Sequence, residues 1–216
     1  MRMVPADREE ASQNMRGRIA VSVPAAGLLL ASLVACVASF DMSTERLAAP
    51  GVEWGIVIGS VFVQPEAVAP SGRSTGHDAT GATYVFDIVQ IQPGDPDGEE
   101  PYAARYRLEA QPGVERMFIS RLRPGHYLIK NFREDGMAGL GGELNTVFTV
   151  AGGEIRYVGR VHVTIPQRTS KGKGYRFAIE NEREATLTQV ARQYPAWKST
   201  VVDAPMRIRE PADRKE

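Results

Sequence analysis

The chain has 216 residues, of which 43% are hydrophobic and 24% are charged, a balance typical of a globular protein rather than a disordered one. This length allows one domain of ordinary size, with or without tails. The 26 basic residues equal the 26 acidic residues in number, so no net charge attracts nucleic acid, and we expect no nucleic-acid partner.

The first feature along the chain is an uncharged, apolar segment, Ile19 to Ala38, which follows Arg16 and Arg18. A short basic region before an apolar core is typical of a secretory signal peptide. The segment is also just long enough to span a bilayer as an uncleaved helix. Pro24 and the small residues near its end favour cleavage. We therefore predict a signal-peptide helix within residues 1–35.

The apolar segment contains Leu33-Val34-Ala35-Cys36, and Cys36 is the only cysteine of the chain. This sequence resembles the lipobox of bacterial lipoproteins. The resemblance implies that the Cys36 thiol is joined to a diacylglyceride and that a signal peptidase cuts between Ala35 and Cys36. The new amino terminus is then acylated as well. An incidental cysteine, in a membrane helix or a conventionally cleaved peptide, is the alternative.

The resemblance also carries an expectation about location. In Gram-negative members of the lipoprotein family, Asp directly after the lipidated cysteine commonly retains the protein at the inner membrane. Here that residue is Val37. We therefore expect the protein in the cell envelope, anchored by lipid to the outer membrane and facing the periplasm.

The chain after Cys36 divides into a short tether, a β-rich domain and a tail. Residues 36–53 lack a clear period and contain Pro50-Gly51, which predicts a flexible tether. Residues 54–205 are predicted to fold as an antiparallel β-sandwich, and residues 206–216 as a polar tail. The predicted strands are Gly55–Gln64, Ala82–Ile91, Tyr102–Ala110, Val114–Leu122, His126–Phe132, Thr146–Val150, Ile155–Ile165 and Tyr175–Glu180.

Two finer predictions concern turns and the helix. Arg123-Pro124-Gly125 is expected to join its flanking strands in a hairpin, and residues 151–154 form another tight turn. A single short helix is predicted near the carboxyl end, because Leu187, Val190, Ala191 and Tyr194 follow a helical period and Pro195 ends it.

A second resemblance concerns the fold. Leu122-Arg123-Pro124-Gly125-His126-Tyr127-Leu128 is similar to the L-x-P-G-x-Y segment of prealbumin-like β-sandwiches, such as carboxypeptidase regulatory domains. Residues 148–154, followed by Tyr157-Val158-Gly159, resemble uncharacterised bacterial lipoproteins with such a domain. These likenesses imply a fold and that Tyr127 faces the core, and they imply no activity.

No motif of the sequence combines the residues and the context that catalysis requires. Gly72-Arg73-Ser74-Thr75-Gly76 fits G-x-S-x-G, but no helix follows it, as a nucleophile elbow requires. His77, His126 and His162 are not spaced as metal ligands. His162 is expected on the strand face opposite Val161 and Val163. We predict no catalytic residue.

Three further segments suggest ligand binding only weakly. The acidic residues Asp95, Asp97, Glu99 and Glu100 lack the alternation and closing acid of a calcium loop. Gly139–Gly142 precedes no helix that would bind phosphate. Residues 168–174 are predicted to form a basic hairpin tip that is simply a solvated turn, with contact to anionic lipid or saccharide as the alternative. We predict no cofactor and no metal.

The sequence therefore favours a non-enzymatic envelope lipoprotein that binds another envelope protein or has a structural role. A carbohydrate- or peptidoglycan-binding module, with Trp197 as a sugar platform, is the first alternative. We expect Trp197 instead to pack the end of the helix against the sandwich. An enzyme is the second alternative.

The first prediction concerns the start of translation. Residues 1–14 carry three acids, Asp7, Glu9 and Glu10, whereas a signal peptide that begins at Met15 has a basic start and ordinary proportions. Amino-terminal sequencing of an uncleaved Cys36→Ser protein should therefore read from Met15. A sequence that reads from Met1 would refute the prediction.

Overall fold

The computed structural model describes residues 38–41, 47–66, 82–93, 97–100, 103–136, 141–166 and 174–209. The chain divides into two units, Met1–Ala35 and Cys36–Glu216, and all of the described residues belong to the second. The predicted signal peptide and Cys36 lie outside the described residues.

The described residues form two β-sheets and one α-helix. The elements in chain order are β1 Ala38–Ser39, β2 Gly55–Pro65, β3 Tyr84–Ile91, β4 Arg105–Ala110, β5 Arg116–Leu122, β6 Gly125–Glu134, β7 Gly141–Val150, β8 Ile155–Ile165, β9 Arg176–Glu180, α1 Arg183–Gln193, a 3₁₀ turn Pro195–Trp197, β10 Val201–Asp203 and β11 Arg207–Ile208. The first sheet has the order β1-β4-β3-β6-β7-β11. The second has the order β10-β8-β2-β5, and β9 also pairs with β8.

The mainly-β prediction is confirmed, but the sheets are mixed and not purely antiparallel. In the centre of the second sheet, β2 and β8 pair in parallel from Ile56 and Ile155 onward. The short strands β1 and β10 also pair in parallel, with β4 and β8. Parallel strands are usually buried on both faces. The first half of β2 meets this condition, because Gly55–Val61 is buried without a break.

Two hydrophobic cores explain this burial. The first lies between the sheets and includes Val57, Phe86, Phe118 and Tyr127. The second lies on the outer face of the second sheet, where α1 and the segment after it cover Ile56, Ile58, Ile119 and Tyr157. Successive residues of β2 therefore enter different cores, as the alternation of side chains along a strand requires.

The predicted hairpin at Arg123-Pro124-Gly125 is wrong. β5 pairs with β2 in the second sheet, whereas β6 pairs with β3 and β7 in the first. The turn therefore carries the chain from one sheet to the other. Its local chemistry is as expected, since Gly125 has a φ of +152° and Tyr127 is fully buried.

The described part of the predicted tether is packed and not free. Phe40 is 1% exposed and Leu47 is 8% exposed. The Phe40 ring contacts Phe118 of the second sheet at 5.1 Å and Tyr106 of the first at 5.9 Å between centroids. Because a buried aromatic side chain anchors the backbone on both sides of it, residues 38–41 belong to the folded domain.

The backbone next to Phe40 is also bound. The Ser120 hydroxyl donates a hydrogen bond to the Phe40 carbonyl oxygen. The Asp41 carboxylate accepts hydrogen bonds from the Arg116 guanidinium at 2.6 Å and from the Ile119 amide at 3.2 Å. The segment thus joins β4 of the first sheet to β5 of the second.

The carboxyl-terminal elements partly follow the prediction. The helix forms at Arg183–Gln193, buries Leu187 and Val190, and ends before Pro195. The predicted tail is wrong in its first residues, because Met206 is 4% exposed in the core between the sheets. Residues 207–208 then pair with β7 as β11. The apolar Met206 and Ile208 explain why this segment joins the fold.

A prediction follows from the burial of Phe40. Phe40→Ala removes a large side chain from between the sheets and should lower the free energy of unfolding by about 3–5 kcal/mol. Urea unfolding followed by circular dichroism measures this loss. Val114→Ala, at a side chain that is 55% exposed, is the control and should change the free energy little. Equal values for the two variants would show that Phe40 does not hold the sheets together.

Candidate functional site

One end of the sandwich collects the features that bear on function. We call it the proximal end, because the chain enters the domain there. Ala38 pairs in parallel with Tyr106, the second residue of β4, so the chain before Ala38 leads to the end where β4 begins. The ends of β3 and β5 and the starts of β2, β6 and β8 lie at the same end.

The proximal end is close to Cys36 along the chain. Consecutive Cα atoms are about 3.8 Å apart, so the Cα atom of Cys36 lies within about 7.6 Å of that of Ala38. Two successive side-chain contacts also connect Tyr106, the partner of Ala38, to the turn after β5. The Tyr106 ring lies 6.2 Å from the Tyr127 ring, and the Tyr127 hydroxyl donates to the Arg123 carbonyl oxygen at 2.9 Å. Burial raises the pKa of Tyr127, so this hydroxyl remains a donor at neutral pH.

An exposed aromatic and basic cluster lies at the proximal end. We call it the Trp54 surface and define it as Val52, Trp54, Arg121 and Arg123. Val52 is 83% exposed and Trp54 is 37% exposed. The guanidinium carbons of Arg121 and Arg123 lie 5.3 and 5.8 Å from the centre of the Trp54 ring, within the range of a cation–π contact.

Backbone hydrogen bonds hold this surface in place. The Trp54 amide donates to the Gly51 carbonyl oxygen at 3.0 Å, and the Gly153 amide donates to the Trp54 carbonyl oxygen at 2.8 Å. A Cβ atom at Gly152 would clash with the Val52 carbonyl oxygen. The turns 51–54 and 151–154 therefore pack tightly together, and Trp54 stands on a fixed backbone.

A polar cluster lies elsewhere, on the outer face of the second sheet beyond α1. Arg160 contacts Glu180 at 2.5 Å, Glu182 at 3.2 Å and Glu115 at 3.6 Å. His162 places Nδ1 2.8 Å from Glu180 Oε1 and Nε2 2.9 Å from the Gln64 side-chain oxygen. These residues, which we call the Arg160 network, link β2, β8 and β9.

The Arg160 network is not arranged for nucleophilic catalysis. In a nucleophile–histidine–acid triad, one ring nitrogen of the histidine contacts a hydroxyl or thiol nucleophile and the other contacts an orienting acid. Both nitrogens of His162 are taken by Glu180 and Gln64. The nearby Ser60 hydroxyl donates to Glu115 at 2.7 Å and not to His162. The network therefore connects neighbouring strands through ion pairs and hydrogen bonds between their side chains.

The pKa of Glu180 reflects this network. Partial burial by itself would raise the pKa of this carboxyl, but hydrogen bonds from His162 and Arg160 outweigh burial and lower it. Glu180 is therefore held in its charged form, which suits a structural ion pair.

The predicted site residues fall in different places. Ala35, Cys36, Ser74, His77, Asp95 and Gly139 lie outside the described residues. His162 lies on the face opposite the buried Val161 and Val163, as predicted. His126 is exposed and contacts the Thr149 hydroxyl at 3.1 Å.

The described parts of the weaker motifs have structural roles. Asp97 pairs with Arg209, and Glu99 pairs with Lys130 at 3.2 Å. Gly142 lies in β7 beneath the Tyr175 ring, where a Cβ atom would clash. Trp197 is 7% exposed and stacks on Tyr194 with 3.9 Å between ring centres. The packing role predicted for Trp197 is confirmed, and a stacked sugar has no access to its ring.

Comparison of the chain with protein-family models, with curated proteins and with solved structures finds no match. Within the described residues, no helix combines the length and apolar character needed to cross a membrane. The same residues contain no group of three or more His, Cys, Asp or Glu side chains that could hold a metal ion.

Sequence reasoning missed the Trp54 surface as a site. Trp54 follows the Pro50-Gly51 segment and precedes a buried strand, which marks it as a turn residue. The Arg121 side chain was also recognisable as outward-facing by its alternation with Leu122. The surface also depends on the contact between turns 51–54 and 151–154. These turns are far apart in sequence, so no local pattern predicts that they meet.

A prediction about pH follows from Glu180. Because its folded-state pKa is lowered, its contribution to stability is complete above the unfolded-state pKa of about 4.3 and is lost as the pH falls through the folded-state value. Glu180→Gln should thus cost about 1 kcal/mol at pH 7 and progressively less below pH ~4. Urea unfolding at a series of pH values measures this difference.

The matched control is Glu109→Gln, at an exposed carboxyl of β4. It should leave the free energy of unfolding nearly unchanged at every pH. A Glu180→Gln difference that does not depend on pH would contradict a role for the charge.

Proposed function

We propose that this protein is a bacterial envelope lipoprotein that is exported, cleaved before Cys36 and anchored in a membrane by lipid on Cys36. The observation that carries the proposal is the sequence Leu33-Val34-Ala35-Cys36 at the end of an apolar segment, with no other cysteine in the chain. Its membrane-lipid partner follows from the lipobox resemblance.

The position of the folded domain supports the proposal. The first strand begins at Ala38, two residues after Cys36, and every described element follows it. Cleavage before Cys36 therefore removes none of the described fold. Three acyl chains, each contributing about 0.8 kcal/mol per buried methylene, would hold such a domain at the membrane essentially irreversibly.

The folded domain is assigned a binding or structural role rather than a catalytic one. The arrangement of the Arg160 network supports this role, because both ring nitrogens of His162 contact other side chains, Glu180 and Gln64. Another envelope protein is the macromolecular partner that we propose. The outer membrane, facing the periplasm, is the proposed location, since Val37 and not Asp follows Cys36.

The proposal is tested by replacing the lipidated residue. Cys36→Ser removes the thiol, so the protein should retain its leader and lose the mass of the acyl groups. Mass spectrometry measures the leader and the acyl groups, and fractionation of inner and outer membranes measures where the protein is held. The control is Ser39→Ala, which leaves the thiol in place and should be acylated normally. Lipid anchoring would be refuted if the wild-type protein carried no acyl mass and the Cys36→Ser protein were found in the same membrane fraction as the wild type.

A further inference from the structure

We propose that the proximal end of the sandwich lies against the bilayer and that the Trp54 surface inserts into its interfacial region. This inference rests on the lipid anchor at Cys36 proposed above. It adds an orientation: the domain is held with its proximal end on the membrane by its own side chains and does not swing freely on a tether.

The chain between the anchor and the domain is very short. Residues 38–41 are fixed by the burial of Phe40 and the Asp41 hydrogen bonds. A lipidated Cys36 therefore has only about 7.6 Å of chain before the first fixed residue. The interfacial region of a bilayer is itself several ångströms deep. A link this short brings the proximal end to the membrane surface whatever its conformation.

The proximal end also carries most of the exposed apolar side chains. Large hydrophobic side chains in the described part of the chain are exposed at few places, namely Val52, Trp54, Val114, Val202 and Ile208. Val52 and Trp54 belong to the Trp54 surface. Val202, 45% exposed, lies on β10, which pairs with the first residues of β8, also at the proximal end. Exposed apolar side chains are thus concentrated where the anchor enters.

Trp54 and its two arginines are residue types suited to a membrane interface. Tryptophan is enriched at membrane–water interfaces because its ring is apolar and its N–H is polar. Arginine side chains bury their stems and keep their charge at the phosphate level. Neither Arg121 nor Arg123 has a carboxylate partner among the described residues. Their guanidinium groups contact the face of the Trp54 ring, and the N–H groups of a guanidinium are donors suited to lipid phosphates.

Acidic groups at the same end limit the choice of lipid. Glu53 is exposed, and Glu154 pairs with Arg156 at 2.8 Å. Asp97 and Glu99 lie on the side of the first sheet and pair with Arg209 and Lys130. With charges of both signs present, the surface is suited to the phosphates of zwitterionic phospholipids and does not require an anionic membrane.

The experiment uses the two tryptophans of the chain, Trp54 and Trp197. Lipidated Trp197→Phe protein, in which Trp54 is the only tryptophan, is reconstituted into vesicles of phosphatidylcholine with and without brominated acyl chains. Trp54 emission should shift to the blue and lose most of its intensity in brominated vesicles, because bromine quenches on contact. Lipidated Trp54→Phe protein is the matched control, since Trp197 is buried and should keep its emission.

A charge variant tests the arginines. Arg121→Glu combined with Arg123→Glu, made in the Trp197→Phe background, should restore much of the Trp54 emission. Arg176→Glu is the control, because Arg176 lies at the opposite end beside Glu66 and is 76% exposed. It should leave the quenching unchanged.

The outcomes separate this inference from the function on which it rests. Protein that carries acyl chains and floats with vesicles, but whose Trp54 is unquenched, would overturn the membrane contact and leave the lipoprotein proposal intact. Protein without acyl chains would overturn the lipoprotein proposal, and the orientation with it. A Trp54 emission change with soluble peptidoglycan fragments, but none with vesicles, would also overturn the membrane contact and assign the surface to cell-wall binding.

Discussion

The insertion of Phe40 between the two sheets is the contact on which the rest of the described structure depends. Its ring meets Phe118 on one sheet and Tyr106 on the other. The Ser120 hydroxyl donates to the Phe40 carbonyl oxygen, and the Ile119 amide donates to the Asp41 carboxylate. An open sandwich edge would leave the core between β4 and β5 accessible to water. The segment from Ala38 to Asp41 covers it, and in doing so it fixes where the chain enters the domain.

Much of the fold could be predicted because strand alternation is a local property. The segments Gly55–Pro65 and Ile155–Ile165 are recognisable from their apolar, β-branched residues, and the helix from its period. The assignment of strands to sheets was not predictable in this way. A Pro-Gly turn such as Pro124-Gly125 has the same local geometry whether it closes a hairpin or crosses between sheets, and only distant pairings decide the outcome.

The ends of the domain were mispredicted for a related reason. Phe40 and Met206 are single apolar residues within polar segments, and one residue produces no period. Their burial depends on spaces between strands that are distant in sequence. The same limit applies to the site, because only a motif of adjacent residues, such as the proposed lipobox before Cys36, can be recognised locally. The Trp54 surface needs two turns about a hundred residues apart to meet.

The six-stranded sheet has a further property that follows from its order. Its two edges are formed by β1 and β11, each of two residues, from opposite ends of the folded domain. Without them, the longer strands β4 and β7 would present unpaired amide and carbonyl groups, which invite strand addition between molecules. These two short strands therefore cover part of each edge and reduce what is open to strand addition. Proteolysis that removed either segment would leave the longer strand beside it open to pairing with a second molecule.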